Sequence, residues 1–510
     1  MSTTNTADIG FEKQIWDAAC VLRGNMDASE YKNVILGLIF LKYISDSFED
    51  KRRALLEEGD GFEEDRDAYQ MDSVFFVPAG ARWEDIANAA HTPEIGTVID
   101  AAMEAIEKEN KSLKGILPKN FARPELDKRR LGEVVDLFTN VKMTEGTDEK
   151  DLLGRTYEYC LRNFAEQEGK NAGQFYTPSC VVRTLVEILQ PFNGRVYDPC
   201  CGAGGMFVQS AKFIQNHQGN IKNISVYGQE SNPTTWKMAK MNLAIRGIDA
   251  NLGEVPEDTF LKDQHPTMKA DFVMANPPFN LSPWGADKLQ EDQRWQYGMP
   301  PAGNANFAWM EHMIWHLAPE GRIGMVLANG SLSSNTSGEG DIRRNIINAD
   351  LVDCIVAMPG QLFYTTQIPV CLWFLCAPGA KKQKGKTLFI DARKMGTMVS
   401  RKLRELTDRD DPENPGDIQK LAATYNAYVA GTLEDQKGFC AVATTEQIAE
   451  QDYILTPGRY VGIEEQQDDG EPFEEKMTRL TTELSGLFEQ SHELETQIRK
   501  NLAAIGFEMK

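Results

Sequence analysis

Apolar positions recur at helical spacing through the first part of the chain. Phe11, Ile15, Trp16, Ala19 and Leu22 follow that period, and so do Val34, Ile35, Leu38, Leu41 and Ile44. The same pattern returns over 98–106 and 131–138, with charge accumulating between, over 46–67. No glycine-rich phosphate loop and no strand–helix alternation interrupts it. The pattern predicts a helical packing domain over 1–165.

From about Gly173 the texture changes. Short β-rich runs at 196–197, 225–227, 271–275, 323–327, 352–357 and 370–375 alternate with helical stretches at 206–215, 233–246, 306–317 and 342–348. Such alternation predicts an α/β domain over 166–405, with a mostly parallel sheet covered by helices on both faces. The runs 370–375 and 388–390 flank a basic loop, 381–386, and are expected to pair as a hairpin finishing the sheet. Asp408 to Gly416, rich in acids and proline, reads as the start of a linker and accessory segment over 406–465. At the end, Phe473, Met477, Leu480, Leu484, Leu487, Leu494 and Ile498 step by four and three, broken only at Ser491. This predicts an amphipathic or coiled-coil helix over 466–510 that contacts another subunit.

A length of 510 residues fits two or three domains, and 41% hydrophobic and 25% charged residues are ordinary for a globular protein. No run of about twenty apolar residues exists, and the start lacks a basic-then-apolar leader, so the expected location is the cytoplasm. Nine cysteines include no Cys-x-x-Cys pair and no histidines at metal-ligand spacing, so no metal is expected. The net charge of −22 changes the picture more. A protein gripping nucleic acid alone usually presents a basic face. This chain either confines its basic residues to one surface or leaves much of that grip to a partner.

Two motifs carry chemistry. In the first, Asp198 ends a short apolar strand and is followed by Pro199-Cys200-Cys201-Gly202-Ala203-Gly204-Gly205. Glycines let a ligand approach backbone that a β-carbon would block, and ligands of such sheets lie beyond the carboxyl ends of the strands. The loop is not Gly-x-Gly-x-x-Gly; it suits the amino-acid and ribose parts of S-adenosylmethionine. Glu230, after the second strand, offers two acceptor oxygens to a vicinal diol. Asp258 is a candidate for the cofactor's adenine amine, with Asp263 as the alternative. Gln174, Phe175, Tyr176, Thr177, Pro178 and Ser179, just upstream, are placed to close over the methionine end.

In the second motif, Asn276-Pro277-Pro278-Phe279 follows the apolar run 272–275. An exocyclic amine is a poor nucleophile because its lone pair is delocalised into the ring. The Asn276 amide oxygen and the Pro277 carbonyl are suited to accept its two hydrogens, drawing the nitrogen toward tetrahedral geometry. The prolines stiffen the loop, and Phe279 offers a face for stacking on a base taken out of the duplex. The segment 281–305, with Trp284, Trp295 and Tyr297, is expected to lie near that base and to order when DNA binds.

With these motifs in order, the chain resembles the DNA amino-methyltransferases, and more closely the modification subunits of type I restriction–modification systems. The stretch Phe40-Leu41-Lys42-Tyr43-Ile44-Ser45-Asp46 is similar to the family's phrasing near its start, and the heptad tail to its end. Cys200-Cys201 departs from it. The resemblance implies a class I S-adenosylmethionine-dependent methyltransferase sheet with a helical N-terminal domain, and N6-methyladenine as product. It also implies double-stranded DNA, a specificity subunit and a restriction subunit as partners. Two readings compete: an Asn-Pro-Pro-aromatic enzyme acting on cytosine N4, RNA guanine N2 or a protein glutamine, and a non-catalytic assembly subunit.

Overall fold

The computed structural model describes residues 28–72, 74–140, 177–363, 367–463 and 473–504, together with Trp16, Cys20, Leu22, Tyr159, Cys160 and Asn163. Among them, no helix is long and apolar enough to cross a membrane.

Helix α1 (Ala28–Glu58) is the axis of the N-terminal domain. Its run Val34–Leu41 is apolar on nearly every side because other helices surround it. Around it lie α2 (Arg66–Gln70), α3 (Trp83–Asn88), α4 (Ile95–Glu109) and α5 (Lys128–Thr139). Asp127 starts α5 by accepting from the amides of Arg129 and Arg130.

The second domain is built on a nine-stranded sheet. Its strands are β1 (Gly194–Asp198), β2 (Ile224–Gly228), β3 (Ala250–Asn251), β4 (Ala270–Ala275), β5 (Leu317–Ala328), β6 (Val352–Ala357), β7 (Val370–Cys376), β8 (Lys386–Asp391) and β11 (Cys440–Thr444). β9 (Thr397–Met398) and β10 (Arg404–Glu405) form a separate antiparallel ribbon. The sheet order is β11-β8-β6-β7-β5-β4-β1-β2-β3. The chain lays β2 and β3 on one side of β1 and β4 and β5 on the other, so the strand order reverses between β1 and β4. That is where such sheets open a ligand crevice.

Helices α6 (Ser179–Leu189), α7 (Gly205–Asn216), α8 (Pro233–Ile245) and α11 (Asp417–Ala430) share a core with one face. α9 (Asn306–Trp315) and α10 (Glu339–Asn348) share a core with the other. Strand residues alternate between them: Val326 and Cys354 go one way, Leu327 and Ile355 the other. α8 faces both domains, giving Trp236, Ala239 and Leu243 to the sheet and Met238, Met241 and Ile245 to the core around α1.

Two expectations need correction. β7 and β8 are not a hairpin: β6 lies between them, antiparallel to β7 and parallel to β8. The segment 406–465 is more than a linker, because α11 packs on α6 and β11 pairs antiparallel with β8 to finish the sheet. A capping box from Thr444 and Gln447 then starts α12 (Thr445–Glu450).

The compact unit extends through Gly462, and Ile463–Lys510 form a second unit. The latter holds α13 (Phe473–Ala504), on which Met477, Leu480, Leu484, Leu487, Phe488, Leu494 and Ile498 are all exposed.

Candidate active site

β1 and β4 are parallel neighbours, with Tyr197 beside Val273. Asp198 and Asn276 therefore leave the sheet at the same edge on adjacent strands, whose spacing is about 4.8 Å. Local apolar runs drive each strand into the core, and each ends where the polar motif begins.

The glycine turn is held by backbone and carboxylates. Gln229 N donates to Asp198 O at 3.1 Å, and Cys201 N to Gln229 O at 2.9 Å, tying the β1 turn to the end of β2. Glu230 accepts from Gly202 N at 3.1 Å and from Asn232 N at 2.8 Å. Its carboxylate thus lies against the turn, with burial pushing its pKa upward. Burial also pushes Asp198 up to about 7, Glu230's charge adding to the effect while the Cys200 amide opposes it. Gly202 and Gly204 have φ of +53° and +83°, a region that favours glycine. Gly205 has no such need: a β-carbon there would meet no described atom within 4 Å. That position is at the N-terminus of α7, where the helix dipole favours an anionic group such as a ligand carboxylate. Behind it, Ala203 O accepts from Asn242 Nδ2 of α8 at 2.7 Å. Cys201 is buried, and Cys200 is half-buried.

Asp258 and Asp263 separate clearly. Glu257 N donates to Glu230 O at 3.1 Å, which brings the Asp258 loop beside Glu230. Asp258 Oδ1 caps that loop by accepting from Phe260 N and Leu261 N. Asp263 uses both oxygens elsewhere, on His265 N at 2.8 Å and His316 Nε2 at 2.9 Å.

Asn276 Nδ2 donates to Thr177 Oγ1 at 2.9 Å. Its Oδ1 is shielded from solvent and, among the described residues, has no hydrogen-bond partner. Such an acceptor is costly to leave unfilled. Pro277 is buried; Pro278 and Phe279 are half-buried. Pro178 precedes α6, and Ser179 is its first, exposed residue. Gln174, Phe175 and Tyr176 lie outside the described residues. One neighbour escaped the sequence reading: Phe363 stands edge-on to Phe279, ring centroids 6.1 Å apart. An aromatic in an irregular loop gave no periodic signal to find it by.

The tryptophans of the segment 281–305 pack within it. Trp284 is 3% exposed and donates to Pro301 O, and Trp295 donates to Leu289 O. Its ring cluster with Phe260 supplies the core that the sequence did not reveal.

The family model for N-6 DNA methylase matches residues 148–469, and that for the HsdM N-terminal domain matches residues 11–138. The chain is 49% identical over 453 residues to the type I restriction enzyme HindI methylase subunit of Haemophilus influenzae, covering 85% of this chain and all of that protein. It is 37% identical over 522 residues to the MjaIX methylase subunit of Methanocaldococcus jannaschii, covering 98% and 92%. The type I methyltransferase subunit structure from Streptococcus thermophilus shares the fold, with TM-score 0.74 at 24% identity over 88% of this chain and 99% of that one. The chain therefore belongs to the N-6 DNA methylase family, among the methylase subunits of type I restriction enzymes.

Proposed function

We propose that this chain methylates N6 of an adenine in double-stranded DNA, as the modification subunit of a type I restriction–modification complex. The observation that carries the reading is the Asn276 amide. Its nitrogen is held by Thr177, and its shielded oxygen lacks a partner among the described residues, at the strand edge that also carries the glycine turn.

In this reading Asn276 Oδ1 accepts one hydrogen of the target amine and the Pro277 carbonyl accepts the other. Phe279 stacks on the flipped base, and Phe363 braces Phe279 from its edge. S-adenosylmethionine, when bound, supplies an electrophilic methyl group. Glu230 holds its ribose, Asp258 its adenine amine, and Asp198 with Gly202, Ala203, Gly204 and Gly205 its amino-acid end. The open space in front of Gly205 fits that assignment. Gln174 to Ser179 cover the site, with Thr177 also positioning Asn276. The barrier is lowered by fixed acceptors and alignment rather than by a strong base.

A chain of net charge −22 is poorly suited to hold DNA unaided. Its relatives are described as subunits, so sequence reading is assigned to a specificity subunit and cleavage to a restriction subunit.

The test is nucleoside mass spectrometry of DNA modified by the assembled complex. N6-methyladenine is expected with the wild type, and its formation should be about 10²–10³-fold slower with Asn276→Ala. N4-methylcytosine in its place would overturn the assignment.

A further inference from the structure

Arg294, 7% exposed, reaches from the 281–305 loop into the ground between the two halves of the site. Its Nη2 donates to Phe260 O at 2.6 Å and its Nη1 to Thr259 O at 3.3 Å, two residues and one residue after Asp258. Asp292 balances its charge through two bonds of 2.8 Å. Thr259 Oγ1 passes the connection on, donating to Pro199 O at 2.6 Å beside Asp198.

A second route runs through His312 on α9. Arg294 Nη1 lies 3.0 Å from His312 Nδ1, and a guanidinium only donates. Nδ1 is therefore the acceptor. Burial, with His316 and Arg294 against the ring and Asp263 opposing them, pushes this imidazole well below its ordinary range, so one proton remains, on Nε2. That nitrogen lies 2.9 Å from Tyr197 Oη, one residue before Asp198.

The base of the loop is fixed to the target motif. Ala305 N donates to Leu281 O at 3.1 Å, closing the loop on itself. Asn280, the residue after Phe279, donates its amide to Asn306 Oδ1 at 3.0 Å, and its Oδ1 accepts from Asn306 Nδ2 at 2.9 Å.

Asp263, His312 and His316 also bring ligand atoms within 4.8 Å of one another, as a metal site would. The hydrogen bonds argue against one. His316 faces two acceptors, Met268 O and Asp263 Oδ2, each at 2.9 Å, so both its nitrogens donate. His312 has its lone pair on Arg294. Neither ring has an electron pair to give a cation.

We infer that Arg294 is a positioning residue that makes the 257–262 loop and the 281–305 loop one mechanical unit. Filling the cofactor side then immobilises the side that receives the base. This rests on the cofactor reading of Asp258 and the glycine turn.

Hydrogen exchange of the purified chain with and without S-adenosylhomocysteine tests it, with binding followed separately by calorimetry. In the wild type the ligand slows exchange in both loops. In Arg294→Met it still protects 257–262, while 281–305 exchanges as without ligand, on the order of fivefold faster than in the bound wild type. Arg294→Lys, keeping a donor that reaches one carbonyl, recovers part of the response. The inference is overturned if the wild-type 281–305 loop ignores a ligand that protects 257–262, a result that needs no variant. A methionine variant that transmits protection like the wild type overturns it equally. Absence of calorimetric binding would instead remove the cofactor reading, and this inference with it.

Discussion

The side-chain nitrogen of Asn276 donates to the hydroxyl of Thr177 across 99 residues of sequence, which turns the asparagine's oxygen toward the proposed acceptor amine. Thr177→Val removes the partner and leaves the amide free to rotate. A loss of about 1.4 kcal/mol of alignment corresponds to about tenfold in rate, so kcat should fall by about that factor while Thr177→Ser stays near wild type. Asn276→Ala should cost about 10²–10³ in kcat and leave S-adenosylhomocysteine affinity within a few fold. Single-turnover methylation beside calorimetry separates the two quantities; an alanine enzyme running at half speed would remove Asn276 from the chemistry.

Two adjacent glycines should respond in opposite ways. Gly204 has φ of +83°, so Gly204→Ala costs about 1–2 kcal/mol and lowers Tm by a few degrees. Gly205 begins α7 with no positive φ and open space before it. Gly205→Val should keep Tm within a degree or so while raising the cofactor KM about tenfold. Thermal melts and cofactor titrations on the two variants distinguish strain from occlusion.

Asp198 gives the site a pH signature. With its carboxyl pushed up to about 7 by burial, the folded protein holds a proton that the unfolded chain, titrating near 3.9, releases. Folding therefore loses stability from this group as pH rises from about 4 to 7. A ligand that brings a positive amino group to Asp198 favours the ionised carboxylate and expels the proton. Affinity for S-adenosylhomocysteine should then rise by up to about tenfold per pH unit below 7 and level off above it. Calorimetry in buffers of different ionisation enthalpy counts the released proton, and Asp198→Asn should flatten the profile. A flat wild-type profile would place the amino group elsewhere.

On α13 the apolar stripe is exposed, with Leu484 at 50% and Leu487 at 55%. Leu484→Asp combined with Leu487→Asp should leave Tm and cofactor affinity unchanged and abolish co-purification with a specificity subunit. Retention of the complex by the double variant would assign the contact to another surface.

The parts legible in the sequence were those written locally. An apolar run followed by a glycine turn, or by Asn-Pro-Pro-Phe, marks the end of a buried strand wherever that strand lies in the sheet. Placing Asp198 beside Asn276 needed the strand order, and that depends on which edges pair. β7 shows the difficulty: its seven buried residues look the same whether the strand closes a hairpin or slips between β5 and β6. β11 is five residues of small and apolar side chains, too short for its alternation to stand out. Arg294 gave no warning either, because its carbonyl partners lie 34 and 35 residues back in the chain. The bond between Asp263 and His316, 53 residues further on, was equally invisible.

Because β11 completes the sheet beside β8, the acidic stretch near 410 is a misleading place to trim the protein. A version shortened there would leave β8 with a bare row of amide and carbonyl groups, an invitation to edge-to-edge clumping. It would also strip α11 from α6, the helix that immediately follows Thr177 and Pro178. A catalytic fragment meant for crystallisation or engineering should run to about Gly462 and give up only the terminal helix.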